Sequence, residues 1–474
     1  MGLIAAICVL AGVIWGTLYL RRGSLLAGCV AYLLATAIVS HDFWFASVGP
    51  IPITIDRLLI AALAIMFVVH WFWGRLEPKP LAKTDYALIG LIVVLVFSTF
   101  THDWRVEIKG QISPFWRLIV GYLMPATVYL IARQSRLSEK NLRRTYLAMA
   151  TFGVYLAVTG VLEILGQWSL VFPRHIADPQ AGIHFGRARG PMLNSVSYGL
   201  ALATCMLCGI VVWPRLRRGA QLLLILLSPV FLAALFYSYT RSVWLGTALA
   251  IVALMALTLH GRVRIATLGC TAAAGLLIAV VGGDGILAFN RNDNTAAQTR
   301  DSVSLRASFA YVSWQMFVDR PLLGVGFGHF PEEKNHYLGD RSTSMPLESL
   351  RPYVHHNHYL SLLTEIGAVG LGLFLCVLIG WGRAAWQLAH SSNSPDWVRH
   401  HGLLMLAMLS VYAAQLLFHE LSYTSLDASL IFFFAGTTMG LLPQTSTARA
   451  TAKTTAAERS LTSAFSPAPM RPTA

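Results

Sequence analysis

The sequence predicts an all-α polytopic membrane protein, with about 12–13 transmembrane helices of about 20 apolar residues each. Three observations carry this. Of 474 residues, 55% are hydrophobic and only 12% charged, about half the charged share of a soluble domain. The mean hydropathy is +0.59. Basic residues alternate along the chain, gathering in every second loop, as spans crossing back and forth require.

Thirteen apolar spans begin near Gly2, Ser24, Leu58, Tyr86, Phe115, Thr145, Met192, Ala220, Ser242, Ile265, His355, Leu403 and Tyr423. The count becomes twelve if the first or last pair is read differently. The opening residues lack a basic region and a small-residue cleavage site, so they read as a first span and not as a cleaved signal. Position 6 is Ala, which argues against myristoylation. The fifth span is short and holds Arg117 and Pro125.

Positive charge sets the orientation. Arg21 and Arg22 follow the first span, and Arg75, Lys79 and Lys83 the third. Arg133, Arg136, Lys140, Arg143 and Arg144 follow the fifth, and Arg215, Arg217 and Arg218 the seventh. Arg262 and Arg264 follow the ninth, and Arg383 and Arg399 the eleventh. Odd spans therefore exit to the cytoplasm. A net charge of +14 then needs no nucleic acid to explain it, although a basic patch also suits an anionic lipid or a pyrophosphate.

On the outer side one loop stands apart, residues 288–354, between spans ten and eleven. Loops of that length are functional or disordered. Leu305, Phe309, Val312 and Met316 recur at helical spacing, predicting a helix lying along the membrane surface. Asp319-Arg320-Pro321 stops it. Gly324, Gly326 and Gly328 follow; with no strand before them they are not a nucleotide loop, and they read as tight turns against the membrane helices. Residues 1–442 thus form one integral membrane domain. Residues 443–474, rich in Thr, Ala, Ser and Pro, read as a disordered cytoplasmic tail. No internal repeat is evident. The six cysteines all lie in apolar runs, and the Cys205-x-x-Cys208 pair lacks the polar surroundings of a metal or redox motif.

Chemistry concentrates at outer span ends. His355, His356, Asn357 and His358 open the eleventh span, with Gly367 and Gly370 deeper. Arg187 and Arg189 precede span seven, Arg241 sits in the very short turn before span nine, and Arg306 lies on the loop helix. Any one arginine at a span end can simply snorkel to headgroups. A cluster of them beside a histidine suits something else: guanidinium forks bind phosphate oxygens bidentately, and a neutral imidazole takes a proton near pH 7. Helix geometry sets Glu365 opposite His356, so it reads as a buried carboxylate holding a neighbouring helix. Glu420 and Asp427, in the last outer turn, read as ordinary interfacial polar residues.

With these residues in view, the chain resembles the O-antigen ligase and polymerase superfamily of bacterial envelope glycan enzymes, over about residues 185–385. Arg241-Ser-Val-Trp-Leu245 is similar to its Arg-x-x-x-Leu element, and Arg320-Pro321-Leu-Leu-Gly324-Val-Gly326-Phe-Gly328 to its loop signature. His356-Asn357, nine residues, then Gly367-Ala-Val-Gly370 matches His-Asn-x9-Gly-x-x-Gly, and this spacing selects His356 over its neighbours. Arg306 stands where the family often carries an upstream Arg. The resemblance implies a GT-C-like glycosyltransferase of the bacterial inner membrane, with its site facing the periplasm. It implies inverting transfer of a glycan from undecaprenyl pyrophosphate to a hydroxyl of a growing glycan, lipid A core or protein, with no metal or other cofactor. Arg241, Arg306 and His356 are then the expected catalytic residues, and Arg187, Arg189, Asn357 and His358 the expected substrate contacts. Protein O-oligosaccharyltransferase activity shares these motifs. A glycan transporter is the alternative from another class, but it needs ionisable residues near mid-span, whereas these gather at one face.

Overall fold

The computed structural model describes residues 23–39, 43–48, 51–76, 78–106, 112–281 and 296–442. The expected span near Gly2, the first part of the 288–354 loop and the tail from 443 lie outside the described residues.

The described chain is a helical membrane bundle. Nine of its described helices are long and apolar enough to cross a bilayer: Ile55–Phe72, Lys83–Phe100, Pro114–Gln134, Glu139–Ile164, Ser195–Arg215, Arg218–Tyr237, Arg241–Thr258, His358–Ala389 and Ser425–Leu442. Three more occupy the remaining expected spans: Leu25–Ile38, Gly261–Val281 and Asp396–Leu416. Leu25–Ile38 has 14 residues, about 21 Å of helix at 1.5 Å per residue, short for a hydrocarbon core of about 30 Å. Among the described residues the helical pattern has one small exception, a hairpin of Phe45–Val48 against Ile51–Thr54, paired Phe45 with Thr54 and Val48 with Ile51.

Burial separates the centre of the bundle from its rim. In Ser195–Arg215 and Ser425–Leu442, 89% of the most apolar stretch is buried, against 17% in Arg218–Tyr237. The central helices are apolar all round because protein, not lipid, surrounds them. Arg241–Thr258 packs along Asp396–Leu416, and that helix along His358–Ala389. Leu245, four residues after Arg241, faces outward at 47% exposure. Arg133, counted above among loop charges, is 1% exposed and pairs with Asp85 at 2.8 Å.

The large loop has a core of its own, and this corrects the expected surface helix. Ala296–Asp319 is helical and ends before Arg320-Pro321. Its Phe309, Val312 and Met316 are buried against Val325, Phe330, Leu338, Leu347 and Leu350, not laid on lipid. The loop is fastened to the bundle at a break in the His358–Ala389 helix. Gly367 there has φ 65° and ψ −166°, a conformation open essentially to glycine alone. The break frees backbone groups that the glycine-rich segment takes up. Val325 and Gly326 donate their N–H groups to the Thr364 and Glu365 carbonyls at 2.9 and 3.0 Å, and Ala368 donates to the Pro321 carbonyl at 2.8 Å. A Cβ on Gly367 would lie 2.3 Å from the Leu322 carbonyl oxygen.

A buried polar knot ties three further segments together. Arg117 Nη1 donates to both Glu365 oxygens at 2.8 Å, Nη2 to Ser361 Oγ at 2.9 Å and Nε to Ser422 Oγ at 2.7 Å. Glu420 lies 3.6 Å from Arg117 Nη2 and 2.6 Å from His358 Nδ1. Glu365 thus holds a neighbouring helix, as the spacing suggested. Glu420, with a side chain 2% exposed, is not an interfacial residue but a member of this knot, and Asp427, 2% exposed, accepts from Ser197 and Thr424 at 2.7 and 2.6 Å. Removing one partner of such a buried pair costs about 3–5 kcal/mol. Beside the knot the Pro114–Gln134 helix widens to a π turn at Ile119–Leu123, where Gly121 leaves room for the Ser422 backbone.

Candidate functional site

Five segments meet at the end of the bundle where His358–Ala389 begins. The loop before Ser195 brings His184 and Arg187, the 238–240 turn leads into Arg241 and Ser242, the loop helix brings Arg306, the chain entering His358–Ala389 brings His356 and Asn357, and the turn after Leu416 brings His419. Their proximity is electrostatic as well as geometric. Burial and the charge of Arg241 lower the pKa of Arg306. The surrounding protein, and then Arg306, lower that of His356. Burial pushes His419 down to about 3, and His356, Arg306, His184 and Arg187 all add to the effect. At pH 7, therefore, His356 and His419 are neutral imidazoles among arginines.

Backbone contacts fix this arrangement. Asn357 caps the His358–Ala389 helix, accepting from Leu360 N at 3.0 Å, while its Nδ2 donates to the Leu417 carbonyl at 2.9 Å. The Arg306 guanidinium lies 5.6 Å from the centre of the Phe418 ring. His419 Nε2 lies 2.9 Å from Ser242 Oγ, which donates to Gln415 Oε1 at 2.9 Å. His184 Nδ1 is 3.0 Å from Ser195 Oγ, itself 3.2 Å from Thr240 Oγ1. Among the described residues, the non-glycine positions with positive φ are His184, Leu193 and Tyr239. All three lie in segments that border the cluster, the kind of place where proteins keep strained backbone.

Charge balance gives the cluster its chemistry. Among the described residues, neither Arg241 nor Arg306 forms an ion pair with a carboxylate. Arg241 also opens its helix, where the helix dipole disfavours a cation and favours an anion. Two guanidinium groups close enough to couple electrostatically, neither bound to a carboxylate, can hold an anion with several oxygens. Among the described residues, no three His, Cys, Asp or Glu side chains gather in a way that could hold a metal ion.

Of the seven residues the sequence singles out, Arg187, Arg241, Arg306, His356 and Asn357 come together here. Arg189 and His358 stand apart. Arg189 is 1% exposed and donates to the Ile176, Asp178 and Ala181 carbonyls at 3.1, 2.8 and 2.5 Å, shaping the loop that carries Arg187. His358 is 3% exposed and bound to Glu420 in the Arg117 knot. His355 is also buried, with Nε2 2.9 Å from Thr364 Oγ1 and its ring tilted 31° to that of Phe330 with centroids 3.5 Å apart. Of three neighbouring histidines, His356 is the exposed one. His419 escaped the sequence reading; its signal was a His-Glu pair in the turn between the last two spans.

Residues 230–375 match a protein family described as O-antigen ligase. A comparison with curated proteins gave no match. The matched stretch takes in Arg241, Arg306, the glycine-rich segment, His356 and the Gly367 break, while Arg187 and His419 lie outside it. The match spans less than a third of the 474 residues, and over that stretch the chain is similar to the O-antigen ligase family.

Proposed function

We propose that the protein transfers a glycan from an undecaprenyl pyrophosphate carrier to an acceptor hydroxyl at the periplasmic face of the bacterial inner membrane, without a metal. The observation that carries this reading is the convergence of Arg241 and Arg306 with a neutral His356, all three within the matched family stretch. In the reaction, the acceptor hydroxyl oxygen attacks the anomeric carbon and its proton passes to His356. The bond from that carbon to the pyrophosphate oxygen breaks, and the charge left on the lipid pyrophosphate is held by Arg241 and Arg306, with Arg187 at the rim. Attack opposite the leaving group inverts the anomeric centre. The acceptor is a growing polysaccharide, a lipid A core or a protein hydroxyl.

A transporter reading gains nothing from the buried charges. Arg117, Glu365 and Glu420 are bound to one another, not spread along a path through the bundle. The test is transfer from a purified lipid-linked donor in vitro. Arg241→Ala and Arg306→Ala should each lose at least about tenfold in kcat/KM, the effect of about 1.4 kcal/mol of lost transition-state binding. Native rates in both would leave the arginines as headgroup anchors.

A further inference from the structure

Residues 417–419 each touch the cluster, and Glu420 anchors them from below. The Leu417 carbonyl holds Asn357, next to His356. Phe418 lies under Arg306. His419 meets Ser242, next to Arg241. Glu420 is locked by His358 and Arg117, so the turn is anchored on a buried knot below the site. Within it, His419 reaches the first turn of the Arg241–Thr258 helix at Ser242. Ser242 Oγ gives its proton to Gln415 Oε1, so it accepts from the Nε2–H of His419, and Gln415 belongs to the helix that leads into the turn.

We propose that His419 is a positioning residue of the donor site: through Ser242 it fixes the start of the Arg241–Thr258 helix, and with it the Arg241 guanidinium, relative to Arg306 and His356. The inference rests on the donor-site reading given above. It explains why an imidazole stands there. A lysine or arginine would add one more cation to a pocket that already holds three arginines, and an apolar side chain would leave Ser242 Oγ without its donor. The pKa of about 3 keeps His419 uncharged, so it supplies the hydrogen bond without competing for the anion.

The experiment measures binding of geranylgeranyl pyrophosphate to the purified full chain in lipid nanodiscs. His419→Phe should weaken binding about fivefold, the order of one hydrogen bond. His419→Gln, whose amide nitrogen reaches the place of Nε2, should restore binding to within about twofold of the native protein. In an Arg241→Ala background, His419→Phe should cost nothing further, because the group it positions is gone. If His419→Phe unfolds, Ser242→Ala removes the acceptor alone and should show the same loss and the same dependence on Arg241. Native binding by His419→Phe and Ser242→Ala, or an equal loss with and without Arg241, would overturn the proposal. Native binding by Arg241→Ala would instead overturn the donor-site reading beneath it.

Discussion

In the proposed reaction His356 can take a proton at neutral pH because the protein around it and the Arg306 guanidinium hold its imidazole unprotonated. The sign follows directly. A lowered pKa means that the active, neutral form persists to more acid pH than for a free histidine, near 6.5, and activity is lost as pH falls through the lowered value. The acid limb of kcat/KM should therefore inflect below about 6.5. Arg306→Gln should move that limb upward, toward the free value, while weakening donor binding. An unmoved limb in Arg306→Gln would separate His356 from the titration. At this scale, the spacing of His356-Asn357 and Gly367 selects His356 as the expectation, and in the structure His355 and His358 are committed to internal hydrogen bonds while His356 is exposed. Arg189 was not separable from Arg187 in the sequence, because nothing in Arg-Ala-Arg-Gly tells which guanidinium turns inward to the loop carbonyls. His419 has no periodic partner, and its surroundings are assembled from segments more than sixty residues away.

Among the elements, the broken His358–Ala389 helix bears most directly on the site, since it joins the loop that carries Arg306 to the helix that follows His356. Gly367 was legible as a small residue suited to close packing, and Gly324, Gly326 and Gly328 as turns against membrane helices. The break itself was not legible, because an apolar run of this composition reads as continuous helix whichever way one glycine turns. Gly367→Ala puts a Cβ against the Leu322 carbonyl at a glycine-only conformation, at a cost of about 1–3 kcal/mol. We expect a lower unfolding temperature in detergent and faster proteolysis within residues 334–346, together with reduced transfer. Wild-type proteolysis would mean that the loop holds its place without the Gly367 junction. The loop helix shows the same limit of sequence reading. Its apolar stripe was correctly periodic, but the stripe cannot say whether lipid or a loop core covers it; the core residues Phe330, Leu338, Leu347 and Leu350 follow at no regular spacing.

Across the whole molecule, hydropathy and charge were the most legible features, because a bilayer imposes them on every span. Span order and loop lengths followed; which helices stand at the centre did not, since Ser195–Arg215 and Arg218–Tyr237 are similarly apolar yet 89% and 17% buried. From the alternation of basic loops we propose an orientation with the five-segment cluster outside. In a background without native cysteines, Ser344→Cys should react with a membrane-impermeant thiol reagent in intact cells, and Ser392→Cys should not. The reverse pattern would turn the bundle over and remove the cluster from the periplasm. The central claim is that His356 receives the acceptor proton while the arginines hold the lipid pyrophosphate, and one comparison tests it most directly: transfer and donor binding measured on the same purified His356→Ala protein. General-base assistance contributes about 10²–10⁴-fold. The account predicts transfer at least about a hundredfold slower with binding of the lipid-linked donor retained; near-native transfer by His356→Ala would contradict it.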